Sequence, residues 1–305
     1  MPDTSPIRMA IVDAFPGVEK DFSLGITESY ERQRRRLIDL HASSRTHGMR
    51  YRGMRYNRKR DGYGLAERLG VSVPAVLRPA VSVEELDESM LLERCVIKPH
   101  DGSTNRGVHV LTRDGDRWRD HMDGSLHAFG DLKRSLAEGA AKGRHSGTLL
   151  IEEALVPGGR LAGTLPIPDD LKVFFFDDLP LVVMQRRLHS SSRAENWRFA
   201  FWSPDGAPLG PVRYVERFDA SLERPSGLGA VVDAAGVIGR ELALPQVRID
   251  MYDTNRGPVF GEITPLPGDG LWIPEVDRLL GLAGARAEER ILARGLTLEE
   301  PRDED

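Results

Sequence analysis

One cysteine, Cys95, stands in a chain of 305 residues, which excludes an internal disulfide and a cysteine-based metal site. A lone thiol beside an apolar run fits a reducing compartment, so the expected location is the cytoplasm. No apolar stretch approaches the roughly 20 residues that cross a bilayer. The opening MPDTSPIRMAIVDAF lacks the charged-then-apolar layout of a secretion signal. The eight histidines form neither an H-x-H nor an H-E-x-x-H pattern, so histidine zinc chemistry has no motif. Serine hydrolysis has no G-x-S-x-G elbow, and no long-range internal repeat is present.

What remains is the composition of a soluble globular protein, 40% apolar and 29% charged, long enough for one large domain or two lobes. The net charge of −5 is unevenly spread: residues 31–60 hold eleven Lys/Arg against Glu31 and Asp39, a local charge of +9. This stretch includes ERQRRRL and the near-repeat GMRYR/GMRYN. It reads either as a solvated helix face with a positive loop or as a dock for an anionic partner, nucleic acid among them. In the second case Arg34, Arg35 and Arg36 are the arginines to suspect. Tyr51 and Tyr56 are too thin an aromatic interleaving for a base-stacking platform.

Along the chain, 7–15 (IRMAIVDAF) reads as a buried strand, followed by a helix from the N-cap Thr27 to about His41. A short helix ends at Gly70, and VSVEELDESM reads as a helix opened by a Ser82/Glu85 capping box. CVIKP, VHVLTR and TLLIEEAL read as strands and 128–142 as a helix. LKVFFFDDLPLVVMQRRL reads as a hairpin through Asp177 to Pro180. Helices are expected near 226–241 and 275–294, and EEPRDED as a frayed acidic tail. Strands and helices mix without a βαβ rhythm, which points to α+β lobes.

Four stretches carry chemistry. In CVIKPHDGSTNRGVHV a strand delivers Lys98 to a loop with Gly102, Ser103, Thr104 and Gly107, where backbone N–H groups can approach phosphate. The Lys precedes the glycines, so this is no Walker loop; an ordinary long-looped hairpin is the alternative. TLLIEEAL ends in Glu152, Glu153 and Leu155, able to receive a purine edge or simply an exposed strand end. Lys172 enters a face otherwise formed by Phe174 and Phe176, either snorkelling at the sheet rim or reaching into a polar cleft. Arg186 or Arg187, on the partner strand, can face that cleft too.

The fourth stretch, VRIDMYDTNRGPVFGEITPLPGDG from Val247, reads as a hairpin. A three-residue loop, Asn255 to Gly257, sets Asp250 opposite Glu262 and Arg248 opposite Thr264, all on one face. Carboxylates in direct register repel. A divalent cation between them resolves the conflict, and Mg²⁺ takes such oxygens together with nucleotide phosphates. An ion cluster around Arg248 is the competitor. Either way, Asn at position 250 is expected to relieve repulsion and leave the fold intact.

The order of these pieces resembles the ATP-grasp superfamily, and the wording of LKVFFF, VRIDMY and FGEITPLPGDG is similar to its TupA-like, teichuronopeptide-biosynthesis branch. The resemblance spans roughly residues 65–282. It implies two α+β lobes gripping ATP after a short N-terminal α/β region, with boundaries at 1–68, 69–156 and 157–305. Lys98 and Lys172 would hold phosphates under the 101–107 loop, and Glu152, Glu153 and Leu155 would line the adenine pocket. Asp250, Glu262 and Thr264 would bind Mg²⁺ (or Mn²⁺), Thr264 standing where most members place Asn. Arg248 or Arg186 would stabilise the transferring phosphoryl group. The acidic ribose partner is missing near Gly158–Arg160, leaving Asp169 or Asp170 for it. The implied reaction is ATP-dependent carboxylate–amine ligation through an acyl phosphate, in cell-surface polymer or specialised-metabolite synthesis. A kinase on the same fold is the alternative. A binding module with a decayed site would have lost Lys98 or the Asp250/Glu262 pair, and all three are present.

Overall fold

The computed structural model describes residues 4–25, 28–100, 107–187, 197–214, 217–268 and 271–302. Helices α1 (Ser5–Ala14), α2 (Val18–Ser23) and α3 (Tyr30–Arg45) lead to strand β1 (Met49–Tyr51), a 3-10 turn (Arg52–Tyr56) and helix α4 (Lys59–Arg68). Then come β2 (Val76–Ser82), β3 (Arg94–Pro99), β4 (His109–Asp114), β5 (Arg117–Asp120), β6 (Leu126–His127), α5 (Phe129–Ala141) and β7 (Thr148–Glu153). These strands form an antiparallel sheet in the order β2-β7-β3-β4-β5-β6. The second half runs β8 (Asp170–Asp177), β9 (Leu179–Arg187), β10 (Arg198–Trp202), α6 (Leu228–Leu242), β11 (Leu244–Thr254), β12 (Gly257–Thr264), α7 (Pro274–Ala293) and β13 (Glu299–Pro301). Its antiparallel sheet is ordered β10-β9-β8-β11-β12, and β13 pairs with β1.

The α+β architecture follows from side-chain alternation. On β8, Leu171, Val173 and Phe175 join a core with Val231, Ala235 and Ile238 of α6. Phe174 and Phe176, on the opposite face, join a second core with Ile7 and Ile11 of α1 and Leu280 and Ala283 of α7. The second face is therefore apolar only in part, and Lys172 continues the same row.

Three expectations need correction. Residues 7–15 are helical rather than extended. Pro6 sits in the first turn, where its missing N–H costs nothing. Ile7, Ile11, Phe15 and Val18 are buried at spacings near four residues, a helical rather than a strand period. Each buried isoleucine contributes roughly 1.5–3 kcal/mol. The Ser82/Glu85 box forms, with Ser82 Oγ accepting from the Glu85 N–H at 3.2 Å, but no helix propagates from it. Asp87 is extended and caps a 3-10 turn of its own, Glu88–Met90. Of the acidic tail, Glu299–Pro301 is pinned rather than frayed, since Arg50 bonds Glu300 at 2.7 Å across the β1–β13 pair, while 303–305 lie outside the described residues. Thr27 lies outside the described residues, and α3 takes its cap from Ser29, whose side chain accepts from the Arg32 N–H. α3 also runs past His41 to Arg45.

Helix α7 comes so close to this cap that a Cβ on Gly281 would sit 2.4–2.5 Å from Ser29 backbone atoms. Backbone at a helix cap cannot rotate away. Gly281→Ala should therefore lose about 2 kcal/mol to overpacking, more than the gain of up to about 1 kcal/mol in helix propensity. Gly284→Ala meets only ordinary contacts of 3.7–3.8 Å and should be neutral or stabilising. Urea unfolding of the two variants tests the contrast, and equal stabilities would refute the close approach.

Candidate nucleotide and metal site

Three strand pairings determine which side chains share a face of the large sheet. Asp250 lies opposite Glu262 on β12 and opposite Lys172 on β8, while Arg248 lies opposite Thr264 and Phe174. Tyr252 lies opposite Asp170, which in turn lies opposite Arg186 on β9. The Asp250–Glu262 register is the expected one, reached by a different route. The turn is one residue tighter, with Thr254 paired to Gly257, and a bulge at Gly261 restores the register. A Cβ on Gly261 would approach the Tyr252 ring to 2.9 Å and the Asp250 carbonyl oxygen to 3.1 Å, so the bulge needs glycine.

The cluster alternates in sign. Lys172 Nζ donates to Asp250 and lies 2.9 Å from Asp170 Oδ2. The Arg248 guanidinium donates to both Asp250 oxygens, at 2.6 and 2.9 Å, and reaches Glu262 Oε1 at 3.1 Å. Arg186 Nη2 holds Asp170 Oδ2 at 2.5 Å, while Asp170 Oδ1 is buried without a partner. Asp170, Lys172 and Asp250 are all buried, although ionised side chains rarely are unless paired.

Asp250 and Glu262 respond in opposite directions. Burial would raise the Asp250 pKa, but the Arg248 and Lys172 charges outweigh it and hold the carboxyl below its ordinary range. Burial and the Asp250 charge raise Glu262, whose side chain keeps 42% exposure, so solvent tempers the rise. The depressed Asp250 stabilises the fold in full above its unfolded pKa of about 3.9 and loses that contribution as pH falls toward its folded pKa. The raised Glu262 contributes fully below its unfolded pKa of about 4.3 and loses that contribution as pH rises through its folded value. At neutral pH Glu262 is therefore a cost that a nearby positive charge removes.

A second group comes from the small sheet. Lys98 on β3 and Glu152 on β7 share a face, with Cys95 and Ile97 turned into the core behind them. Lys98 Nζ donates to Glu152 Oε1 at 2.5 Å and to the Tyr63 hydroxyl at 2.9 Å, and that hydroxyl donates to Glu152 Oε2 at 3.0 Å. Burial and the Glu152 charge push the Tyr63 phenol well above its usual value. The two groups are neighbours. Burial and Asp170 raise the Tyr252 phenol, and the charges of both Lys98 and Glu262 reach it.

Not every expected residue joins these groups. Glu153 accepts from the Ala75 N–H at 2.8 Å and from Arg256 at the hairpin tip, so its carboxylate clamps small sheet to large. Leu155 is half-buried, and its carbonyl accepts from Arg94 at 3.4 Å. Gly107 adopts φ +72°, whereas Gly102, Ser103 and Thr104 lie outside the described residues. Arg187 bonds Asp169 at 2.9 and 2.8 Å, and Gln185 bonds Asp169 at 2.5 Å, so both Asp169 and Arg187 stand apart from the cluster. Thr264 sits on the cluster face beside Arg248. The sequence reading misses Tyr63; of the two ribose candidates, Asp170 sits among the charges of the cluster, and Asp169 pairs with Arg187 and Gln185. Asp170-x-Lys172 alternation was the available signal for Asp170; none exists for Tyr63.

Two antiparallel α+β sheets that carry lysines and paired carboxylates on neighbouring faces define the ATP-grasp class. The TupA-like ATP-grasp family matches residues 49–283, and the chain belongs to it. No protein with a curated description matches the sequence. Among solved structures, the D-alanine–D-alanine ligase of Bacillus anthracis complexed with ATP is 15% identical, with 79% of this chain and 69% of that one covered at a TM-score of 0.46. The D-cycloserine synthetase DcsG is 16% identical (77% and 70% covered, TM-score 0.41). A RiPP-associated ATP-grasp ligase from Chryseobacterium gregarium, in complex with ADP and a leader and core peptide, is 11% identical (83% and 64% covered, TM-score 0.42).

The charge inventory reverses the sequence expectation for position 250. Asp250→Asn takes the shared acid from buried Lys172 and part-buried Arg248, leaving each with a single acidic partner, and should cost about 3 kcal/mol, whereas Glu262→Gln removes the less neutralised, more exposed acid and should leave the melting temperature within a few degrees. Thermal melts compare them, and equal losses would mean the cluster is not balanced as described. Tyr63→Phe keeps the packing on Phe260 but frees Lys98 and Glu152 of a partner. It should weaken Mg-ATP binding roughly three- to tenfold, the worth of about one hydrogen bond. Calorimetric titration reads this directly, and unchanged affinity would reduce Tyr63 to packing.

Proposed function

We propose that the protein is an ATP- and Mg²⁺-dependent carboxylate–amine ligase that forms an amide bond through an acyl phosphate. It would act in the cytoplasm, in the synthesis of a cell-surface polymer or specialised metabolite. The observation that carries the reading is the register-locked Asp250–Glu262 pair, flanked by Lys172 and Arg248 on one sheet face. Residues 69–156 and 157–305 would be the two gripping lobes and 1–68 the substrate-side region.

The donor set fits a hard cation. Glu262 is partly open and pairs through one oxygen, Asp170 Oδ1 is buried without a partner, and Thr264 adds a hydroxyl to the same face. Asp250 and Glu262 would hold Mg²⁺, with Thr264 beside them. When bound, the ion offsets charge on the transferring phosphates. Lys98 and Lys172 would bind phosphate oxygens, and Glu152 and Leu155 would border the adenine.

Arg248 and Arg186 would stabilise the phosphoryl group as a substrate carboxylate oxygen takes the γ-phosphorus and the bond to ADP breaks. Positioned positive charge is what this step needs, rather than a protein nucleophile. An amine held beside the acyl phosphate then forms the C–N bond and loses a proton as inorganic phosphate departs. Holding both reactants in one cleft supplies the entropic advantage of that second step.

The test is ADP and phosphate release from Mg-ATP across a panel of carboxylates, with hydroxylamine as a generic amine. Carboxylate-dependent phosphate release with hydroxamate formation is expected. ADP without free phosphate, plus a phosphorylated product, would transfer the protein to the kinase reading.

A further inference from the structure

The arginines of α3 and those from the Arg52–Tyr56 turn to the end of α4 differ in whether an acid holds them. On α3, Arg34 and Arg35 pair with Glu31, and Arg36 pairs with Glu288 of α7. Of these three, the first to be suspected from sequence, Arg36 ties α3 to α7, and Arg34 and Arg35 share the Glu31 carboxylate within α3. Arg55, Arg60 and Arg68 differ, because among the described residues none of them forms an ion pair. Arg55 lies over the Tyr56 ring at 5.9 Å, and Arg68 donates only to the Gly64 carbonyl, at 3.0 Å.

These three line a cleft of about 240 Å³ between the Arg52–Tyr56 turn and α4, completed by Tyr56, Asp61 and Gly64. That is below the roughly 300 Å³ of a pocket for a whole small molecule, but it suits one charged group on a longer arm. Arg60, Gly64 and Arg68 recur every four residues and form one stripe of the helix. Gly64 leaves the space between the two arginines open. Asp61 offsets one of the three positive charges and leaves the cleft cationic.

The stripe beside it, Lys59 and Tyr63, faces the candidate site. Tyr63 bonds Lys98 and Glu152, and the Lys59 charge reaches Glu262. Gly62 packs α4 onto Phe260 of β12, so the helix cannot turn without moving the strand that carries Glu262. One helix thus presents the reacting site on one stripe and an unspent arginine cleft on the next.

We propose that this cleft is a subsite for an anionic group, carboxylate or phosphate, borne by the molecule being ligated at some distance from its reacting carboxyl or amine. The inference rests on the ligase reading above, and it assigns the substrate class as anionic. Arginine suits the task because its planar fork matches both oxyanions and its charge is permanent.

The experiment titrates wild-type protein, saturated with Mg-ADP at low salt, with tetraglutamate and separately with inorganic tripolyphosphate. Binding of one or both is expected, tetraglutamate marking a carboxylate and tripolyphosphate a phosphate. Arg60→Gln combined with Arg68→Gln should weaken that binding at least tenfold, while Arg35→Gln leaves it unchanged. Gly64→Glu places an internal anion four residues from each arginine, so it should abolish binding without lowering the melting temperature. If neither probe binds, or if the double variant and Gly64→Glu bind like wild type, the subsite is refuted. Mg-ADP affinity in the same samples reports separately on the nucleotide site, so failure of either reading is distinguishable.

Discussion

The structure depends on one electrostatic constraint: two carboxylates in direct cross-strand register must be neutralised by their own strand neighbours. Arg248 lies two residues before Asp250 on the same strand, and Lys172 lies directly across from it. Three acids and three bases share the face, counting Asp170, Asp250 and Glu262 against Lys172, Arg186 and Arg248. That equality is what allows Asp170, Lys172 and Asp250 to be buried at all. The row that begins with Phe176 and Phe174, packed with residues of α1 and α7, turns ionic at Lys172.

The same hairpin joins the two sheets. Its tip bonds the segment leaving β7, the Asn255 N–H donating to the Val156 carbonyl at 3.0 Å and the Gly158 N–H to that of Asp253 at 3.1 Å. Arg256 reaches Glu153 and the Val73 carbonyl from the same tip. On the free side of β12 the Phe260 N–H donates to the Ser72 carbonyl at 2.8 Å, so the edge strand is partly covered by the chain entering β2. The strands that carry Asp250 and Glu262 are therefore fastened to one corner of the small sheet, where β2 begins and β7 ends. Any movement of Lys98 and Glu152 relative to the cluster has to pivot on these few bonds.

How much of this was legible follows from the range of each signal. The facing of Asp250, Glu262, Arg248 and Thr264 needed only the two-residue period of a strand, whereas Lys172 joins them through a β8–β11 pairing that no local pattern announces. That facing survived a turn read one residue too long because the Gly261 bulge compensates. The first helix was lost because β-branched and apolar residues in IRMAIVDAF suit a buried strand, and only the four-residue spacing of its buried positions says otherwise. Tyr63 was invisible because its meaning depends on α4 docking against β3 and β7, which no local pattern announces. Among the arginines of 31–60, the Arg34 and Arg35 pairs to Glu31 lie within reach of helical spacing, whereas the Arg36 pair to Glu288 is tertiary and has no local signal.

On the proposed reading, the balance within the cluster determines how it exchanges partners. Well-packed apolar residues would stabilise such a site as well as buried ion pairs do, so stability alone does not account for six charges there. A balanced cluster can, however, trade partners without creating net buried charge. When Lys172 turns from Asp250 to a phosphate oxygen, Asp250 keeps Arg248 but loses one of its two cationic partners, and Glu262 is the member placed to admit a cation that restores the balance. It is the most exposed acid of the three, it is the one whose charge burial and Asp250 disfavour, and it pairs with a single guanidinium nitrogen. Phosphate and cation would then have to arrive together, because either alone unbalances the charge of a largely buried cluster. A nucleotide already complexed to its metal meets that condition, and a bare nucleotide or a bare ion does not.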